Sequence, residues 1–231
     1  MKVRIKFSKS GALKYIGHLD VMRYFQKLMR RADIPISYSE GFSPHQIMSF
    51  AMPLGIGDES LGEYVDIELD EKITSAEAIE RLNSQSVPEI RILSFKEIPD
   101  GKATNAMSSI TAASYEVCIR EECKPDFDVK TKFEELVNKN EINVVKQSKK
   151  SVTELDIKPF IYDCRYENDK FYLLVSCGSV MNIKPELVIK ALYDSCNTEF
   201  DEYFVCVKRI EMFTGEKTAL VSLNDIGKDI T

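Results

Sequence analysis

Two stretches within the first fifty residues carry the side chains best suited to chemistry. The first is Lys14-Tyr15-Ile16-Gly17-His18-Leu19-Asp20. His18 and Asp20 lie two apart at a helix start. Asp20 can set the tautomer of His18, and His18 can then act as general acid or base. Free N–H groups at a helix start also favour an anion, with Lys14 and Tyr15 alongside as nucleic-acid contacts. The structural alternative makes Asp20 a helix cap and His18 a packed or loop histidine. The second stretch is Tyr38-Ser39-Glu40-Gly41-Phe42-Ser43-Pro44-His45. His45 is the second candidate acid or base. Ser39 and Phe42 are candidate contacts to nucleic acid, because an aromatic ring in a Gly/Pro-rich loop can stack on a base. The alternative is a structural loop that Phe42 anchors. If both stretches form one site, Lys14, Tyr15, His18, Ser39, Phe42 and His45 must converge.

A helix between them has to position both. Asp20 can cap a helix running to about Ala32. At about 100° per residue, Val21, Met22, Phe25, Leu28, Met29 and Ala32 fall within ~120° of arc, a core face. Arg23, Lys27, Arg30 and Arg31 fall within a separate arc of ~100°, a basic stripe able to contact phosphate. The alternative is a solvated face neutralised by salt bridges.

Charge supports a local anion site. Residues 1–50 hold nine Lys or Arg against three Asp or Glu, while residues 51–231 hold 22 against 34. Both histidines lie in the basic segment. An acidic remainder disfavours loose polyanion binding.

Around α-helical and alternating patterns the chain reads as β-α-β-β-α-β twice. Strands are expected at 2–7, 47–54, 62–69 and 89–95, with a second helix capped by Thr74 or Ser75. The second series has strands at 114–120, 142–146, an extended region 152–166 bent at Pro159, 171–177 and 203–210. Its helices start near Asp126 or Asp128 and at 184–195, and Asn168-Asp169 is a tight turn. The fold class is α+β, with two tandem ferredoxin-like (split βαβ) domains. Their expected bounds are 1–97 and 112–231, joined by a polar linker at 98–111.

Several classes are disfavoured. The longest apolar stretch, Ile47 to Gly57, is broken by Pro53 and Gly55 and is short of the ~20 residues of a membrane span. No secretory signal opens the chain, so a cytoplasmic location is expected. The six cysteines form no C-x-x-C pair, and with two histidines they give no metal site. No phosphate-loop, dinucleotide or nucleophile-elbow motif is present, and no cofactor is expected.

The chain resembles the bacterial radical-SAM-associated (radical-SAM-linked) proteins of unknown function. The resemblance rests on Arg4-Ile5-Lys6-Phe7-Ser8-Lys9, on Leu13 to Asp20 with Arg23, and on Tyr38 to His45. It continues through Ser49-Phe50-Ala51-Met52-Pro53-Leu54 and Gly62-Glu63-Tyr64-Val65-Asp66-Ile67, with weaker echoes at Asp156-Ile157-Lys158-Pro159, Gly178-Ser179 and Lys184-Pro185-Glu186. It implies a radical-SAM enzyme as partner. The chain lacks C-x-x-x-C-x-x-C and cannot hold that enzyme's cluster itself. Lys158 stands where the family usually has Arg, which weakens a bidentate anion clamp there.

Three functions follow. The first is an accessory module that presents RNA or a modified substrate to a separate radical-SAM enzyme. The second is an RNA-directed endonuclease or modifying enzyme using His18 or His45. The third is a protein-only docking scaffold.

Overall fold

The computed structural model describes residues 1–101, 105–147 and 152–231. It is an α+β structure, as expected from the sequence. The chain divides into two compact units, 1–111 with 209–231, and 112–208. The segment 209–231 thus lies with the first unit, although chain order alone groups it with the second.

The first unit contains β1 (Lys2–Lys9), α1 (His18–Arg31), β2 (Met48–Phe50), β3 (Glu59–Glu68), α2 (Ser75–Gln85) and β4 (Ile90–Glu97). Its strands lie in the order β4-β1-β3-β2, all antiparallel. Val3, Ile5 and Phe7 alternate along β1 and bury with Val65 and Ile67 against Phe25, Leu28 and Met29 of α1 and Leu82 of α2. Thr74 caps α2, its side chain accepting from the Glu77 N–H (3.3 Å).

The opposite face of this sheet is polar yet covered. Arg4, 2% exposed, lies across from Asp66 in the β1–β3 register. Its Nε donates to Asp66 Oδ1 (2.8 Å) and Nη2 to Oδ2 (2.9 Å), a bidentate pair. The same guanidinium donates to the Leu223 carbonyl (3.3 Å), and Asp66 also accepts from the Ala106 N–H (2.8 Å). Ala106 opens a short helix, α3 (Ala106–Ser109), which Asn105 caps. Lys102 to Thr104 of the expected linker lie outside the described residues. The C-terminal turn Leu223–Asp225 adds Asn224, which takes hydrogen bonds from Ser94 (2.6 Å) and Lys96 (2.9 Å). A last strand pair, Lys228–Asp229 on β4, closes the sheet edge.

The second unit contains β5 (Ile110–Ile119) from Ala112 onward, α4 (Val129–Val137), β6 (Asn143–Gln147), β7 (Val152–Asp156), β8 (Ile161–Glu167), β9 (Lys170–Ser176) and α5 (Pro185–Ser195). It also takes the first residues of β10 (Val205–Thr214). The sheet order is β10-β5-β9-β8, and β6 and β7 form a separate hairpin. Asn168 (φ 52°) and Asp169 (φ 58°) are both left-handed and join β8 to β9 as a two-residue turn. Asp128 caps α4, and the Phe133 ring of that helix meets Phe171 at 5.0 Å.

Three local expectations change. Gly17, not Asp20, is the N-cap of α1; helical backbone begins at His18, and Asp20 falls in the first turn. The expected strand 47–54 pairs only over Met48–Phe50, because beyond the Ala51 N–H bond to Tyr64 the chain reaches Pro53, which has no N–H to give. The extended region 152–166 is two strands interrupted by a turn at Lys158–Phe160.

The Arg4–Asp66 pair gives a first test. Arg4→Leu leaves a buried carboxylate without its cation and is expected to cost about 3–5 kcal/mol in urea unfolding. Arg4→Leu with Asp66→Leu should recover most of that loss. A single-variant cost below about 0.5 kcal/mol, the size of an ordinary surface substitution, would show that the pair does not hold the sheet's second face.

Candidate nucleic-acid interface

The first motif surrounds the start of α1. Lys14 and Tyr15 belong to a turn, Gly11–Tyr15, packed under residues 55–57 by the Gly57 N–H bond to the Lys14 carbonyl (2.9 Å). Lys14 approaches Glu59 at 3.8 Å and lies 5.4 Å from the Tyr15 ring, which is exposed. The His18 ring stands edge-on to Phe50 at 5.6 Å. Asp20 pairs with Arg23 (3.2 Å) on the exposed surface. Packing on Phe50 therefore orients His18, and the expected Asp20 partnership is replaced by one turn of helix pairing.

Behind His18 lies an ionic cluster that sequence reasoning missed. Glu63 of β3 accepts from Arg209 Nη1 (2.9 Å), and Arg209 also donates to the Met52 (2.9 Å) and Pro53 (3.3 Å) carbonyls. Lys9 donates to the Ile16 carbonyl (3.5 Å) and feels Glu63 and Asp58. Burial pushes the Glu63 carboxyl up, opposed by Arg209 and Lys9, and the Lys9 amine down, opposed by Glu63 and Asp58 and reinforced by Arg209. The cavity that Lys9 and Glu63 share with His18, Pro53 and Leu54 is about 20 Å³, space for one water and no substrate. Its chemistry is that of a structural clasp.

The second motif forms a hairpin-like loop beside the other end of α1. Tyr38 bridges Gln46, the Ser39 N–H donates to the His45 carbonyl (2.8 Å), and the His45 N–H donates to Ser39 Oγ (3.1 Å). Ser39 Oγ also lies 2.8 Å from His45 Nδ1. Gly41, at φ 110°, makes the tip, and Phe42 beside it is fully exposed. The loop is closed by its own hydrogen bonds, so Phe42 is not its anchor.

Ser39 and His45 thus meet, and Arg30 and Gln26 of α1 line the same recess as His45. Lys14, Tyr15, His18 and Asp20 gather instead at the helix start. Twelve residues of α1 separate His18 from Arg30, about 18 Å of rise. The six residues form two groupings along one helix. Between them runs the basic stripe: Arg23, Lys27, Arg30 and Arg31 are all exposed, opposite buried Val21, Phe25, Leu28 and Met29. Arg23 is paired with Asp20; Arg31 donates to the Gln85 carbonyl (3.3 Å) and covers the Tyr24 ring. Lys27 and Arg30 have no ion-pair partner among the described residues.

The second unit has a larger cleft, about 630 Å³, lined by Lys124, Phe127, Asp128, Tyr166 and Asp169 among others. Its polar groups bind one another. Tyr166 donates to Asp169 (3.1 Å), Lys124 pairs with Glu121 (2.8 Å), and Asp128 caps α4. Burial and Asp169 push the Tyr166 hydroxyl up to about 12. Among the described residues no three His, Cys, Asp or Glu side chains gather to hold a metal ion. No helix there is long and apolar enough to cross a membrane.

The model of one protein family, described as an uncharacterized protein conserved in bacteria (DUF2344), matches residues 2–185. The chain belongs to this family. The match covers β1 through the start of α5, so both groupings of candidate residues are DUF2344 sequence. No curated protein matches the chain.

Lys9 supplies a test of the clasp in this DUF2344 protein. Below its lowered value the amine is protonated in both states and the burial cost is fully present. Between that value and the ordinary 10.5, the unfolded chain keeps a proton that the folded chain has released, so stability rises with pH. Lys9→Met lacks this rise. Urea unfolding of the two proteins across alkaline pH should move in favour of wild type toward pH 10.5. A difference independent of pH would contradict the lowered value.

Proposed function

We propose that the chain is a binding module for single-stranded RNA, contacting phosphates through the exposed face of α1 and bases through the Tyr38–Gln46 loop. One observation carries this reading. Lys27 and Arg30 stand exposed and unpaired among the described residues of a chain whose net charge is −6. With 37 acidic residues available, neutralisation would be the ordinary outcome. Phe42, fully exposed, adds a ring suited to stacking.

The finer reading is an accessory role, with the RNA or modified substrate presented to a radical-SAM enzyme in the cytoplasm. Its support is the motif resemblance, together with exposed Tyr15, Leu19 and Ile56 near the start of α1 as apolar surface for a protein partner. The tandem ferredoxin-like reading belongs here as well. The fourth-first-third-second strand order of each unit supports it. Catalysis is the weaker reading, because His18 and His45 take part in separate groupings.

The test is binding to single-stranded RNA against salt, for wild type and for Arg23→Ala, Lys27→Ala and Arg30→Ala combined. Each lost phosphate contact lowers the salt slope by about one unit, so the triple variant should lose about two to three, weakening all sequences alike. Unchanged affinity and slope would exclude the stripe and favour a protein-only scaffold.

A further inference from the structure

We infer that the recess between α1 and the Tyr38–Gln46 loop is a site for a phosphate monoester, the terminal phosphate of an RNA strand lying on the basic stripe. This rests on the RNA-binding reading and adds which part of the RNA is recognised. The recess, about 200 Å³, is lined by Gln26, Arg30, Tyr38, Pro44, His45 and Gln46. None of these is acidic, which is notable in a chain with more acidic than basic residues. Arg30 brings a guanidinium with no ion-pair partner among the described residues, able to bind two phosphate oxygens at once.

His45 is prepared as a donor. The backbone N–H of His45 already donates to Ser39 Oγ, so the hydroxyl proton is free to point at Nδ1, 2.8 Å away. A neutral ring that accepts at Nδ1 carries its proton on Nε2. A cationic ring carries one there too. In both of these states His45 offers an Nε2–H to a ligand. This arrangement suits anion binding.

Gln46 supplies the independent observation. The residue is 6% exposed, its Nε2 donates to the Tyr38 hydroxyl (3.3 Å), and its Oε1 is buried with no hydrogen-bond partner among the described residues. Buried polar atoms left this way are uncommon. Because Gln46 Nε2 donates to its oxygen, the exposed Tyr38 hydroxyl keeps its own proton as donor for a ligand. Arg30, His45 and Tyr38 then present three donor groups. A phosphodiester has two unbridged oxygens to meet them; a terminal phosphate has three and more charge. Arg23, Lys27 and Arg30 span about 10 Å of α1, leading a strand toward the recess.

The measurement is binding of one short single-stranded RNA in three forms: 5′-phosphorylated, 3′-phosphorylated and without terminal phosphate. Inorganic phosphate is added as competitor. One of the two phosphorylated forms should bind about tenfold more tightly than the unphosphorylated form, and phosphate should erase the difference. His45→Ala and Ser39→Ala should lose the preference while still binding RNA. His45→Gln, whose amide nitrogen can stand near Nε2, should retain part of it, which separates loss of the donor from damage to the loop. Equal binding of all three forms would overturn the inference and leave the stripe reading intact, as would a preference that survives in both alanine variants. No binding of any form by wild type would overturn both.

Discussion

The ion pairing between β1 and β3 is the constraint on which the first unit depends. Both strands send apolar side chains to α1 and α2, so the alternate residues face the other way, where exposure would ordinarily leave them solvated. Here that face is covered by 209–231. Arg4 can be buried only because Asp66 takes two of its donors and Leu223 a third. Lys6 and Tyr64, opposite each other in the same register, both reach Glu211 of β10. Arg209 on β10 in turn holds Glu63 and the chain at Met52 and Pro53. Gly62 has a related role: a Cβ there would stand 2.5 Å from the Ile210 carbonyl, so β10 can approach only a glycine.

This pairing sorts the basic residues of the first fifty into two kinds. Arg4 and Lys9 are buried, and Lys6 is committed to Glu211. They hold the fold and are unavailable to a ligand. The charges of α1 remain on the surface because that helix buries only one side. The local excess of positive charge is thus smaller outside the protein than in the sequence, and it is concentrated on one helix beside one loop. Within the stretches Arg4–Lys9 and Gly62–Ile67, Arg4 and Asp66 meet across the two strands, while Lys6, Tyr64 and Glu63 take their partners from β10.

The two faces of α1 were legible because a 3.6-residue period survives in any context. The Asn168–Asp169 turn follows from local backbone chemistry, and the caps at Thr74 and Asp128 are legible to within one or two residues, as Thr74 or Ser75 and Asp126 or Asp128. The cover provided by the C-terminal segment was not. Beyond β10 its strands are two residues long and its turn gains its partners from β1 and β4, so no periodicity announces it. For the same reason Arg4 reads as a surface residue of an alternating strand. The Ser39–His45 contact depends on closure of a loop, and Gln46 carries no signal beyond its neighbours. His18 packs edge-on to Phe50, and Gly17, not Asp20, is the cap of α1.

The central claim is that α1 and the Tyr38–Gln46 loop together form the RNA-binding face. Ultraviolet crosslinking of the full chain to a labelled single-stranded RNA, with the crosslinked peptides identified by mass spectrometry, addresses it directly. Crosslinks should fall at Phe42 or Tyr38 and within residues 23–31, and high salt should abolish them together. Crosslinks confined to 112–208, or none at low salt, would contradict the account.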